Sequence, residues 1–431
     1  MMPTGPIATA TTVLNLVRAN RFAAIRDMFA PNLRAMVTPE ALHAAWAAEE
    51  DRHGPVTTVG APVSEPAGPG STLVRIPVAF ERGGVTVLVA VSDDGLLIGI
   101  QLAPPDAAAP AQPWQPPEYV DPRAFHEQDV MVGVGRLALP GILTMPDTPG
   151  PHPAVVLLAG SGSLDRDSTI GRNKPLKDLA WGLASRGVAV ARFDKVTYAH
   201  GDQVAGISGF TVDDEYLNHA VAAVHLLQKQ PTVDPARVFV AGHSLGGTVA
   251  PRVAVAEPAV AGLVILAGGA QPLHWSAVRQ FRYLGSLNPD TEAASRSIID
   301  TVTRQAETVD SPDLSPATPA GDLPFGVPAS YWLDLRGYDP AALAATLSKP
   351  MLILQGGRDY QCTVADDLTR WRAALAHRPD VTIRVYDADN HLFFSGAGPS
   401  KPSEYEPAQH VDATVVADIA DWITKEPFRA D

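Results

Sequence analysis

Val238-Phe239-Val240-Ala241-Gly242-His243-Ser244-Leu245-Gly246-Gly247 runs an apolar, β-branched stretch straight into G-x-S-x-G. Thr248 to Ala256, rich in alanine and valine, follows with helical patterning. A strand before and a helix after make the pentapeptide a sharp strand-to-helix turn that lifts the serine hydroxyl to the top of a sheet. Glycine is needed on both sides, because a side chain would clash in so tight a turn. The helix N-terminus behind Ser244 offers free backbone N–H groups and positive dipole to a developing oxyanion. Ser244 therefore reads as a nucleophile, and the Leu245 N–H as one oxyanion donor.

A nucleophilic serine needs a base and an acid, expected in the chain order Ser, acid, His. Pro350-Met351-Leu352-Ile353-Leu354-Gln355 reads as a buried parallel strand, and Gly356-Gly357-Arg358-Asp359 follows at once. Val381 to Tyr386 reads as the next strand and leads into Asp387-Ala388-Asp389-Asn390-His391. Both candidates lie just past the carboxyl end of a strand, where open α/β sheets gather functional groups. His391 would take the serine proton, while Asp359 fixes its tautomer and stabilises the imidazolium. Asp387 and Asp389 are alternative acids, but they share the histidine's own loop. Asp366 and Asp367 read as solvated or capping residues, His410 as a surface or dipole-related residue, and His243 as packing.

Ala154 to Ala159 is a continuous apolar run of central-strand length. It ends in Gly160-Ser161-Gly162-Ser163-Leu164-Asp165-Arg166-Asp167, the loop expected to give the second oxyanion N–H, from Ser161 or Gly162. Asp165, Arg166 and Asp167 read as an ion-pair network fixing that loop, and Asp194 and Lys195 as braces on the same edge.

These segments carry a resemblance. Leu158-Ala159-Gly160-Ser161-Gly162 with Asp165-Arg166-Asp167, Arg192-Phe193-Asp194-Lys195 near His200-Gly201, Gly-His-Ser-Leu-Gly-Gly, Gly-Gly-Arg-Asp and Asn-His-Leu-Phe stand in five separate places. Together, over about residues 125–425, they resemble bacterial carboxylesterases of the α/β-hydrolase fold, the branch whose first loop reads A-G-S-G…D-R-D. Some of its members carry an N-terminal accessory domain. The resemblance implies ester hydrolysis with Ser244, Asp359 and His391 as the triad. Where relatives often have arginine and glycine after the Asp-Lys pair, this chain has Val196-Thr197-Tyr198, which implies a different pocket entrance.

Composition sets the outer bounds. The 431 residues suffice for two or three domains, and a 46% hydrophobic content suits a large core. A formal net charge of −14 argues against nucleic-acid or anionic-membrane partners. The single Cys362 excludes an internal disulfide. The opening Met1-Met2-Pro3-Thr4-Gly5-Pro6 lacks a basic segment followed by an apolar one, and no run approaches membrane-span length, so a cytoplasmic protein is expected. No ligand-spaced His, Cys or carboxylate cluster predicts a metal, and no glycine fingerprint predicts a dinucleotide; no cofactor is expected.

The expected fold class is α/β, a doubly wound, mostly parallel α/β-hydrolase sheet with a helical lid and a small N-terminal α+β domain. Residues 1–102 form that domain: helical periodicity over about 7–50, broken at Pro31 and Pro39, then β-like runs with hairpin turns at Glu81–Gly84 and Ser92–Gly95. Its order is similar to the cone-shaped nuclear-transport-factor-like fold, and its expected uses are covering a pocket or pairing two copies as a homodimer. Residues 103–122 form a stiff proline-rich linker that Trp114 and Tyr119 anchor to a surface. Residues 123–431 form the catalytic domain, with leading antiparallel strands within 127–145 and a lid at about 271–345. Thr211-x-x-Asp214 reads as a capping box. Most lid aromatics should be core, with Trp275, Tyr283, Tyr331 and Trp332 the candidates for lining a substrate pocket. The expected partner is a small-molecule ester with a small to medium acyl group. Acyl transfer, thioester hydrolysis and peptide hydrolysis suit the same scaffold, and a non-catalytic small-molecule binding protein is the alternative of another class.

Overall fold

In the computed structural model, which describes residues 5–34, 37–68, 70–105, 113–287 and 292–425, Pro31 and Pro39 each open a helix rather than merely interrupt one. Proline suits the first helical position, where its missing N–H would be unpaired anyway. Four helices come first: α1 (Pro6–Arg18), α2 (Phe22–Arg26), α3 (Pro31–Arg34) and α4 (Pro39–His53), the last capped by Thr38, whose side chain accepts from the Ala41 N–H. Five antiparallel strands follow: β1 (Val56–Val59), β2 (Val63–Gly68), β3 (Ser71–Phe80), β4 (Gly83–Ser92) and β5 (Leu97–Ala103). β1 and β2 pair successive parts of the same edge of β3. Alternate residues of β3 and β4, among them Val74, Ile76, Val87 and Val89, bury one face with Val13 and Leu14 of α1. Helices followed by an antiparallel sheet is the order expected from the sequence. Of the 103–122 connection, residues 106–112 lie outside the described residues. Trp114 and Tyr119 do anchor its far end. The Trp114 indole donates to Asp178 and meets the Trp181 ring edge-on, and Tyr119 packs on the core.

The second sheet has eight strands: β6 (Phe125–Val132), β7 (Leu139–Pro146), β8 (His152–Leu158), β9 (Ala189–Phe193), β10 (Val233–His243), β11 (Leu263–Leu266), β12 (Met351–Gly356) and β13 (Val381–Tyr386). They lie in the order β6-β7-β9-β8-β10-β11-β12-β13, with the first pairs antiparallel and all pairs from β9 to β13 parallel. This is an α/β-hydrolase sheet. On one face α5 (Pro175–Ala184) and α15 (Ala413–Thr424) pack over Val155, Leu157, Phe239 and Ala241. The alternate residues of the same strands face the other way, towards α8 (Val212–Gln228) and α9 (Leu245–Ala256). The Thr211–Asp214 capping box opens α8 with both of its reciprocal bonds in place. Among the described residues no helix is long and apolar enough to cross a membrane.

After β11 come α10 (Leu273–Ser286), α11 (Glu292–Asp310), α12 (Ala329–Leu335) and α13 (Pro340–Ala345). The chain divides into two compact units, Met1–Gln112 with Ala277–Ala329, and Pro113–Ser276 with Ser330–Asp431. The division differs from a lid belonging wholly to the catalytic domain. Most of the insertion packs with the N-terminal helices, α11 against α4 and the Pro324–Gly326 turn against α3. Buried Val302, Ala306 and Val309 make one apolar face of α11.

Candidate active site

Ser244 caps α9 at φ 54, ψ −120, a conformation that non-glycine residues rarely adopt. The turn is as tight as the motif predicts. A Cβ on Gly242 would stand 2.1 Å from the Gly246 carbonyl oxygen, and one on Gly246 would stand 2.6 Å from the carbonyl oxygens of Leu158 and Ala159. Bare backbone at Gly242 lets α9 start close on β10, and at Gly246 it lets α9 abut the end of β8. Leu245 is the first residue of that helix, where N–H groups have no partner within the helix. The loop after β8 comes equally close: a Cβ on Gly160 would lie 3.1 Å from the Ser244 Cβ. Ser161 and Gly162 continue it as exposed residues, with Gly162 at φ 92.

Asp359 and His391 meet beyond the ends of β12 and β13. His391 Nδ1 donates to Asp359 Oδ2 across 2.7 Å, with the two residues only 3% and 5% exposed. The same oxygen accepts from the Gln355 side chain at 3.0 Å, and Oδ1 accepts from the Gln361 and Cys362 N–H groups at 2.7 and 3.0 Å. Four donors suit an ionised carboxylate. Neither rival acid reaches the histidine in this way; Asp389 accepts instead from the Ser395 hydroxyl.

The two halves are joined by His243. Its Nε2 lies 2.8 Å from the His391 carbonyl oxygen, so this nitrogen carries the proton and donates, and the two rings are 4.7 Å apart. Desolvation of the ring, with His391 beside it, pushes the pKa of His243 down to about 3 and keeps it neutral. The residue next to the nucleophile thus holds the loop bearing the histidine. Asp359, Cys362 and His391 also bring one metal-ligand type of atom each within 4.8 Å of one another. Both Asp359 oxygens are already filled by N–H donors, one of them from His391 itself, so the donor set is that of a hydrogen-bonded acid–histidine pair.

With this geometry, the match to known proteins has a physical basis. Residues 172–395, just over half the chain, match the family described as serine aminopeptidase, S33. The chain belongs to that family. The chain is 38% identical over 354 residues to Esterase EstD of Thermotoga maritima, a match covering 82% of this chain and 80% of that one. It is 30% identical over 142 residues to 2,6-dihydropseudooxynicotine hydrolase of Paenarthrobacter nicotinovorans, covering 33% and 35% of the two chains. Among solved structures, Est1E from Butyrivibrio proteoclasticus is similar at 16% identity and a TM-score of 0.45, covering 69% of this chain and 99% of that one.

The four aromatic residues expected at a substrate pocket fall in different settings. Tyr331 and Trp332 are buried, and the Tyr331 hydroxyl donates to Glu215 at 2.5 Å. Trp275 is half-buried beside His274. Tyr283, also half-buried, belongs to the unit containing the N-terminal residues. The charges after β8 do form a network. Arg166 pairs with Asp194 at 3.0 Å, while Arg192, 1% exposed, bridges Asp167 and Glu127 at 3.0 and 2.8 Å.

Three residues do more than their reading in the sequence assigns. His243 does more than pack. Asp367, read as solvated or capping, is fully buried and does cap, accepting from the Thr363 N–H at the start of Val364–Leu368 and from the Ala270 and Gln271 N–H groups. Lys195, read as a brace on the edge that carries the Gly160 loop, is buried beneath that loop and donates to its Gly160 carbonyl.

Proposed function

We propose that the protein is a serine hydrolase of carboxylic esters with Ser244 as nucleophile, His391 as base and Asp359 as its orienting acid. Ser244 Oγ attacks the ester carbonyl as His391 Nε2 takes its proton. The N–H of Leu245 and one from the Ser161–Gly162 segment receive the oxyanion. Collapse expels the alcohol with the proton returned by His391, and water, activated by the same histidine, then releases the acid. The observation carrying this reading is the bond from His243, adjacent to Ser244, to the carbonyl of His391, whose ring is already aligned by Asp359. Kinship with a named esterase over most of both chains supports an ester as substrate, with a small to medium acyl group. The family's description favours peptides as the competing substrate class.

Intact mass and peptide mapping after a small fluorophosphonate test the nucleophile, and p-nitrophenyl esters set against aminoacyl p-nitroanilides test the class. The expected result is one adduct on Ser244, lost in His391→Ala, with esters turned over far faster than anilides. Ser244→Ala should keep the fold and lose roughly 10³-fold or more in kcat. Wild-type turnover in that variant would sink the assignment, and faster anilide cleavage would move the protein to the peptidases.

A further inference from the structure

Beneath the loop that begins at Gly160 lies a set of buried polar groups with no place in proton transfer. Lys195 Nζ donates to the Gly160 carbonyl oxygen at 2.7 Å, to the Tyr216 hydroxyl at 2.8 Å and to Glu215 Oε1 at 3.0 Å, so its three hydrogens have three acceptors. The Tyr216 hydroxyl has one hydrogen to donate, and the same Gly160 oxygen, at 2.8 Å, is nearer to it than the Ala159 carbonyl oxygen at 3.1 Å. Glu215 also accepts from Thr197 and, on its other oxygen, from Tyr331. The Gly160 carbonyl is thus gripped by two donors from one side.

We propose that Lys195, Tyr216 and Glu215 are positioning residues that orient the Gly160–Ser161 peptide so that the Ser161 N–H, and not that of Gly162, is the second oxyanion donor. This rests on the hydrolase reading above. A trans peptide is planar, and its C=O and N–H point in opposite directions. Holding the Gly160 oxygen towards Lys195 and Tyr216 fixes the Ser161 N–H on the opposite side of that plane, at a loop whose Gly160 approaches Ser244. No equivalent grip is seen on the carbonyl of Ser161, which would be needed to aim the N–H of Gly162, among the hydrogen bonds of the described residues.

Stability alone is a poor reason for such a cluster. A buried ion pair commonly gives no more stability than apolar residues of the same volume, because desolvation opposes the mutual attraction. What the charge does provide is a strong, directional bond to one carbonyl. An oxyanion donor is useful only if it is already aimed before charge develops, so a fixed peptide matters to the reaction.

The test uses full-length protein and two probes: p-nitrophenyl acetate as substrate, and an aryl trifluoromethyl ketone. The ketone forms a tetrahedral adduct with the serine, and its oxyanion occupies the same donors. Tyr216→Phe should lower kcat about threefold to tenfold. Lys195→Met combined with Glu215→Gln, which removes both charges together, should lower it on the order of 10²-fold, the scale of a lost oxyanion donor. KM should stay within about twofold, and the ketone Ki should rise in step with the fall in kcat/KM. Normally melting variants with unchanged kcat and Ki would overturn the proposal, as would a rise in KM at constant kcat. If the double variant does not fold, Tyr216→Phe decides by the same criteria. A wild-type protein that forms no Ser244 adduct and cleaves no ester would instead bring down the hydrolase reading, and this inference with it.

Discussion

Ser244 pays in backbone strain for its place at the turn, since positive φ in a residue with a Cβ costs about 1–3 kcal/mol. Replacing it tests that directly. Ser244→Gly should be more stable than Ser244→Ala by about 1 kcal/mol in urea unfolding, both being inactive; equal stabilities would mean the turn is relaxed. His243 carries a second expectation. Its folded pKa of about 3 lies below the ordinary 6.5, so between these values the unfolded chain binds the extra proton. Its contribution to stability is therefore fully present above about pH 6.5 and is lost as pH falls towards 3. His243→Gln should flatten unfolding stability against pH in that window, and an unchanged slope would show that the ring does not stay neutral. Asp359 and His391 are legible in the sequence because each follows an apolar run and chain order leaves few choices. The particular bonds of His243 and Lys195 are not, because a hydrogen bond to the backbone of a distant loop leaves no mark in local patterning.

At the scale of elements, the contact of α9 with the end of β8 places the helix N-terminus and the Gly160 loop around one point. Gly246→Ala would force a methyl group against two backbone oxygens that cannot rotate away. The expected outcome is a loss of about 3 kcal/mol or more, with ester turnover falling in the remaining folded protein; thermal melting and kcat at the same temperature check both. Full stability in that variant would mean that helix and strand stand further apart. The parallel strands are legible as short apolar runs because both their faces are buried. β2 is not, since Pro66 and Gly68 lie within it and its residues do not alternate cleanly. Its place on the edge of the sheet explains why such a sequence is tolerated.

For the whole molecule, the partition of the insertion changes what a truncation should do. Removing residues 1–112 alone would strip α11 of α4, a helix it packs on. That protein should melt at a lower temperature and bind more of an apolar dye than one in which 277–329 is also replaced by a short Gly-Ser linker. Equal behaviour of the two would show that the insertion stands alone. The sequence makes a helical insertion legible from its length and periodicity, but an apolar stripe on a helix does not name its partner. The same partition has a consequence during synthesis. The ribosome releases Met1–Gln112 first, yet the rest of that unit begins only at Ala277, after several strands of the other unit have been made. At roughly 5–20 residues per second, the nascent chain holds an incomplete first unit for on the order of ten seconds or more. Translation pauses, and chaperones that bind nascent chains, therefore matter most for this protein between those two points.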